Sequence, residues 1–413
     1  MTEAWIIDAC RTPRGIGKIG KGALAELHPQ RLGSAVLKAL AERNGINTAE
    51  VDDVIWGTSS QRGPQSCDLG RMSALDAGYD VRSSGVTLDR FCGSGITAVS
   101  LASATIMAGM ADLVVAGGTE MMSMPNRRSA EDGPPLFDTG NLHLRELHPQ
   151  TNQGICADAI ATLEGITRAD VDALALESQR RADHAIRHGH FDKSLITVHR
   201  EDGSVALDHE EFPRPQTTAE GLASLKPSFE AMADIDLDGK GTTFRSLILQ
   251  KHPGLDIKFI HHAGNSSGVV DGSGALLLAS PDYARANGLK PRARVVATAN
   301  QGDSPTLMLN APVPAARRVL ARAGLTLDDI DLFEVNEAFA VVAEKFIRDL
   351  KLDRDKVNVN GGAMALGHPI GATGAMLIGT MLDELERRDL HRGLITMCAG
   401  GGMAPAIIIE RIH

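Results

Sequence analysis

The chain has 413 residues, of which 43% are apolar and 23% charged, with a net charge of −10. That length allows two or three hydrophobic units, and the negative balance argues against a nucleic-acid backbone as the main partner. No window approaches the roughly 18 uninterrupted apolar residues of a membrane span, and five widely spaced cysteines read as free thiols of a reducing compartment rather than a disulfide framework.

The opening "MTEAWIIDACRTPRG" has no positively charged segment ahead of a long apolar run. No signal peptide is expected, and a cytoplasmic location is. "AWIIDA" predicts a first strand, and "GINTAEVDDVIWG" from Gly45 predicts a turn leading into a second. "GVTLD" is a third, and it runs into "LDRFCGSGITAVS" at Leu88–Ser100. There Cys92 stands between a strand and a helix of small residues. The positive end of a helix dipole favours thiolate, and could move a thiol pKa from about 8.5 toward about 7. On this stretch alone a reactive thiol and a buried structural cysteine read equally well. "GSGITA" also fits a loose dinucleotide-binding pattern, but the acidic residue that should end the next strand, Asp112, begins "DLVVAGG" instead.

From Thr119 to His262 the chain is more polar and loop-rich. "NRRSAEDGPPLFDTGN" predicts a surface excursion and "DVDALALESQRRADHAI" an amphipathic helix. "HAIRHGH" offers three histidines but no fourth ligand. "DIDLDGKGTTFR" mimics a calcium loop whose twelfth place is Arg245 where a bidentate glutamate is needed.

Strands resume at "ALLLAS", "IDLFEV", "KVNVN", "LITMC" and "AIIIE". "GLTLDDIDLFEVN" from Gly324 repeats the Gly45 stretch 279 residues later. The same offset sets "GGAMALGHPIGATGA" opposite the Cys92 turn and "LITMCAGGG" opposite "DLVVAGG". Two similar α/β halves are expected, residues 1–118 with 263–279 and residues 280–413, with residues 119–262 inserted. The helices after Cys92 and after His368 are small or apolar on every side, so both should be buried between two sheets in a five-layered αβαβα stack. Asn336, His368 and Cys398 each fall at a carboxyl-terminal strand edge or the turn after it, where α/β sheets present functional groups.

Four stretches in this order, "DRFCGSG", "NEAFA", "GGAMALGHPIGATGA" and "CAGGGMA", resemble the thiolase family over nearly the whole chain. The resemblance implies an acyltransferase that exchanges acyl groups between coenzyme A and 3-ketoacyl-CoA, with coenzyme A as substrate and no metal or permanently bound cofactor. It implies Cys92 as nucleophile, His368 as its base, Cys398 as second acid/base, and Asn336 with His368 holding the thioester enolate. The backbone amides of Cys92 and Gly400 would meet the tetrahedral oxyanion, and Glu337 would orient its neighbours.

The resemblance further implies coenzyme A contacts at Arg214, Phe229 and Ser267, a dimer of dimers, and no role for Cys10, Cys67 or Cys156. The extra piece between Phe229 and Ala263 resembles thiolase subunits of fatty-acid β-oxidation complexes, which implies a degradative role and a hydratase/dehydrogenase subunit as possible partner. Biosynthetic condensation of two acetyl-CoA molecules is the alternative, and an inactive scaffold that binds coenzyme A or lipid a distant one. Two departures stand out: Ala404 where the family's last motif has glycine, and Gln153 where short-chain biosynthetic members carry methionine. A ketoacyl synthase would share the layered fold but lack a second cysteine such as Cys398.

Overall fold

A computed structural model describes residues 3–124 and 136–412. The surface excursion expected at 126–141 falls largely outside that range. Among the described residues twelve strands form, in chain order β1 (Trp5–Arg11), β2 (Gly15–Ile16), β3 (Asp53–Gly57), β4 (Val86–Leu88), β5 (Leu113–Met121), β6 (Val198–His199), β7 (Val205–Leu207), β8 (Val270–Ala279), β9 (Ala293–Gly302), β10 (Leu332–Val335), β11 (Arg392–Thr396) and β12 (Met403–Arg411). Ten of them make one sheet, ordered β4-β3-β5-β8-β1-β9-β12-β11-β10 with β2 beside β8.

The internal repeat is built into that order. β3 pairs parallel with β5, β5 antiparallel with β8, and β8 antiparallel with β1. β10, β11, β12 and β9 repeat the same directions. β3 and β10 begin 279 residues apart, as do β5 and β11. Gly45 and Gly324 even end equivalent helices in the same left-handed conformation, φ 60° and 66°. The halves join edge to edge through two residues of β1, Trp5 and Ile6, set against Arg294 and Ala293.

Three apolar clusters define five layers. On one outer face Val36, Leu37 and Leu69 from helices Pro29–Asn44 and Leu69–Asp76 cover Val54, Trp56, Val115 and Leu277. On the other, Val319, Val341 and Phe346 from helices Pro312–Ala323 and Ala340–Leu350 cover Phe333, Leu394 and Ile408. Between the half-sheets lie the helices Ser94–Met107 and Ile370–Arg387, whose Ile96, Val99, Ile378 and Met381 pack with Val114 and Leu276 from one half and Ile395 and Ile407 from the other. The small residues noted in the sequence make this layer possible. A Cβ on Gly95 would lie 2.8 Å from Ala375 N, and one on Gly374 only 2.1 Å from Ile96 N.

The helix Gln153–Glu164 of the inserted segment packs Ile155 and Ile160 into the cluster of the C-terminal half. The amphipathic stretch is a helix, Arg168–Arg187, opened by a capping box of Thr167 and Asp170. No described helix is long and apolar enough to cross a membrane.

Candidate active site

Cys92 is set by a tight turn after β4. Phe91 takes a left-handed backbone, φ 51°, which a bulky side chain adopts only when its surroundings enforce it. The enforcement is local: Asp89 accepts from Phe91 N (2.7 Å), and Ser94 Oγ both accepts from Arg90 N (2.8 Å) and donates to Phe91 O (2.7 Å). The chain therefore reverses at Cys92 and enters the first central helix at Ser94.

His368 is set in the matching place ahead of the second central helix. Gly367 turns at φ 94°, and His368 N donates to Gly268 O (2.9 Å). Its Nδ1 lies 2.6 Å from Thr373 Oγ1, which donates to Pro369 O (3.1 Å). That network assigns the ring proton to Nδ1 and leaves a lone pair on Nε2, which has no hydrogen-bond partner.

The two helix starts meet at Gly57, the last residue of β3. A Cβ there would lie 2.8 Å from Ser94 Cβ and 2.8 Å from Gly371 O. Glu120, buried near the end of β5, ties the same corner together. Its carboxylate accepts from Ser59 N (2.9 Å), Ser60 N (3.1 Å) and Gly371 N (2.9 Å). The motif reading missed Glu120. Its signal was present in "DLVVAGGTE", an acid at a strand end opposite Ala399 in the repeat.

Cys398 follows β11, and the loop after it returns at once into β12. Ala399 N donates to Met403 O (2.7 Å), and Gly401 and Gly402 sit at φ 76° and 74°. A Cβ on Gly93 would lie 2.8 Å from Pro405 Cδ, so β12 begins against the Cys92 turn. Gly400 faces the site closely, since a Cβ on it would meet Phe137 at 2.7 Å and Phe91 at 3.0 Å. Asn336, past β10, is buried with both amide atoms unpartnered. Its neighbour Glu337 accepts from Ser178 Oγ (2.7 Å) and Asn358 Nδ2 (3.0 Å).

Burial dominates the electrostatics. Cys92, His368 and Cys398 are 5%, 4% and 1% exposed. Desolvation pushes the Cys92 thiol up to about 12; its own backbone N–H opposes this, while Glu120 and Asp89 add to it. The thiolate expected from the helix end is therefore not the resting state, because loss of hydration outweighs the dipole. Desolvation also drives His368 down to about 3, with Arg14 adding to the effect. Cys398 is raised by burial and then by the charge of Cys92, so the two sulfurs share one electrostatic environment.

A cavity of about 540 Å³ opens beside this corner at Ser59, Ser60 and Phe91, walled further by Phe137, Phe229 and Phe339, while Cys92, His368 and Cys398 do not line it. Phe229 thus lies in it, edge-on to Phe339 at 5.8 Å, and Gln153 lines it as well. Ser267 N donates to Ala338 O (2.9 Å), bracing the "NEAFA" stretch. Arg214 is exposed, its guanidinium over Phe212 at 5.5 Å.

Away from the site, the mimicked calcium loop closes on itself, with Arg245 paired to Asp234 at 2.7 Å. Of the three histidines, His188 Nδ1 lies 2.8 Å from His184 O, His190 Nδ1 lies 2.9 Å from Asn360 Oδ1, and the His184 ring stacks on His188. Ala404 fits the core, paired with Gln301 across β9.

Family comparison agrees with this geometry. Residues 4–235 match the thiolase N-terminal domain and residues 289–411 the thiolase C-terminal domain. The steroid 3-ketoacyl-CoA thiolase FadA6 of Mycobacterium tuberculosis is 41% identical, over 100% of this chain and 95% of its own length. The acetyl-CoA acetyltransferase of Bacillus anthracis superposes with a TM-score of 0.83 at 35% identity, and human mitochondrial 3-ketoacyl-CoA thiolase with 0.83 at 32%. Both alignments cover 100% of this chain and 99% of the other. The chain belongs to the thiolase family and is an acyltransferase of that family.

Proposed function

We propose that the protein degrades 3-ketoacyl-CoA by thiolysis through an acyl intermediate on Cys92. His368 Nε2 takes the Cys92 proton as Sγ attacks the 3-keto carbon. The tetrahedral oxyanion meets the backbone N–H groups of Cys92 and Gly400, and one such donor is commonly worth about 10²–10³ in rate. The C2–C3 bond then breaks, and the electron pair leaves as the enolate of acetyl-CoA. His368 and a water positioned by Asn336 hold that enolate, and Cys398 protonates it. Free coenzyme A then gives its thiol proton to the Cys398 thiolate and attacks the acyl-Cys92 thioester, taking the shortened acyl group, while His368 returns its proton to the departing Cys92 sulfur. Bonds and protons balance without any redox partner, so no permanently bound cofactor is required.

The observation that carries this reading is the meeting of the Cys92 turn with the His368 helix at Gly57 and with β12 at Pro405. Arg214, Phe229 and Ser267 are assigned to coenzyme A, Phe229 and Ser267 beside the pantetheine and Arg214 near the nucleotide. The same reading takes residues 119–262 as an inserted domain between the two halves, the molecule as a cytoplasmic dimer of dimers, and a hydratase/dehydrogenase subunit as its candidate partner.

The test is coenzyme A-dependent loss of 3-ketoacyl-CoA absorbance across acyl chains from short to long. Turnover of esters longer than acetoacetyl-CoA is expected. Turnover of acetoacetyl-CoA alone would favour biosynthetic condensation, and binding of coenzyme A without any turnover would favour a scaffold.

A further inference from the structure

Among the described residues, one charged side chain lines the aromatic cavity beside the Cys92 turn. Arg62 lines it together with Ser59, Ser60 and Gln153, and no carboxylate does so among the described residues. Arg62 is exposed, so its guanidinium stands at the solvent rim while Phe91 lies next to the buried thiol. Its side chain makes no hydrogen bond or ion pair with any described residue, whereas most arginines here are held by acids, as Arg145 is by Asp138 and Arg292 by Asp383. The loop that carries it is fixed, because Glu120 anchors Ser59 N and Ser60 N to the corner where the central helices meet.

An acyl chain attached at Cys92 that ran along Phe91 and Phe137 would end near that rim. A methyl end gains nothing from a guanidinium. A carboxylate end stays partly hydrated, avoids the cost of full burial, and gains a forked, charge-assisted pair. We propose that Arg62 selects 3-ketoacyl-CoA esters whose acyl chain ends in a carboxylate. This rests on the thiolysis reading above and names the substrate class of the same cavity. The side-chain amide of Gln153, in place of an apolar residue, suits such a polar tail.

The experiment pairs 3-ketoacyl-CoA esters of matched length, one ending in methyl and one in carboxylate, against the wild-type enzyme, Arg62→Ala and Arg62→Lys. In the wild type the carboxylate ester should have the higher kcat/KM. Arg62→Ala should lower it about 10- to 100-fold through KM, change the methyl ester by less than about twofold, and leave Arg62→Lys in between. Equal losses for both esters, or weaker binding of free coenzyme A by Arg62→Ala, would assign Arg62 to the coenzyme A phosphates and overturn the proposal. A wild-type preference for the methyl ester would overturn it as well. Calorimetric binding of both esters to Cys92→Ala, with and without Arg62→Ala, reads the tail contact without turnover. If the wild type turns over neither ester, the thiolysis reading falls, while a carboxylate preference in binding that disappears with Arg62 still upholds the tail contact and its absence refutes it.

Discussion

A thiol raised to about 12 and an imidazole lowered to about 3 rest as a neutral pair at pH 7. Cys92 and His368 thus both rest neutral before substrate arrives. In the proposed thiolysis, proton transfer from Cys92 to His368 becomes favourable only when the developing oxyanion meets the amides of Cys92 and Gly400. The buried imidazole also leaves a signature in stability. Between about pH 3 and 6.5 the unfolded chain binds a proton at His368 that the folded chain does not. Folding stability therefore rises with pH across that window and falls as acid is added, with His368 contributing up to about 1.4 kcal/mol per pH unit. In urea unfolding midpoints measured from pH 4 to 7, the wild type should lose stability relative to His368→Asn as the pH falls. Parallel curves would mean that His368 titrates normally in the folded state.

The two central helices carry the site because they are narrow. Gly95, Gly371 and Gly374 let their backbones approach until the Cys92 turn and the His368 turn share one corner with Gly57. Gly374→Ala would put a Cβ 2.1 Å from Ile96 N, against backbone that cannot yield as a side chain can. The expected loss is about 3 kcal/mol, the upper part of the overpacking range, seen as a lower urea midpoint with unchanged slope. Gly379→Ala is the control. Its Cβ would meet only Ala9 Cβ at 3.2 Å, and the gain in helix propensity offsets part of the crowding, so a change within about 1 kcal/mol is expected. Equal effects at both positions would show that close helix approach is not what holds the corner.

Across the whole molecule the layered fold was readable because the repeat at 279 residues and two helices without a polar stripe are properties of the chain itself. Cys92, His368 and Cys398 were readable as candidates because strand ends and glycine turns announce them. Three other features were not. The balance between burial and dipole at Cys92 depends on exposure, which no motif reports. Glu120 acts through hydrogen bonds to residues 60 and 251 positions away, invisible along the chain. Arg62 gains meaning only from the cavity it lines.

What the two halves achieve together is one site from distant segments, and the acyl group should record it. Intact mass and peptide mapping after incubation with acetyl-CoA test this most directly. One acetyl group is expected on the Cys92 peptide of the wild type and of Cys398→Ser, although the latter should no longer make or break carbon–carbon bonds, and none on Cys92→Ala. An acetyl group on another residue, or steady turnover by Cys92→Ala, would contradict the account.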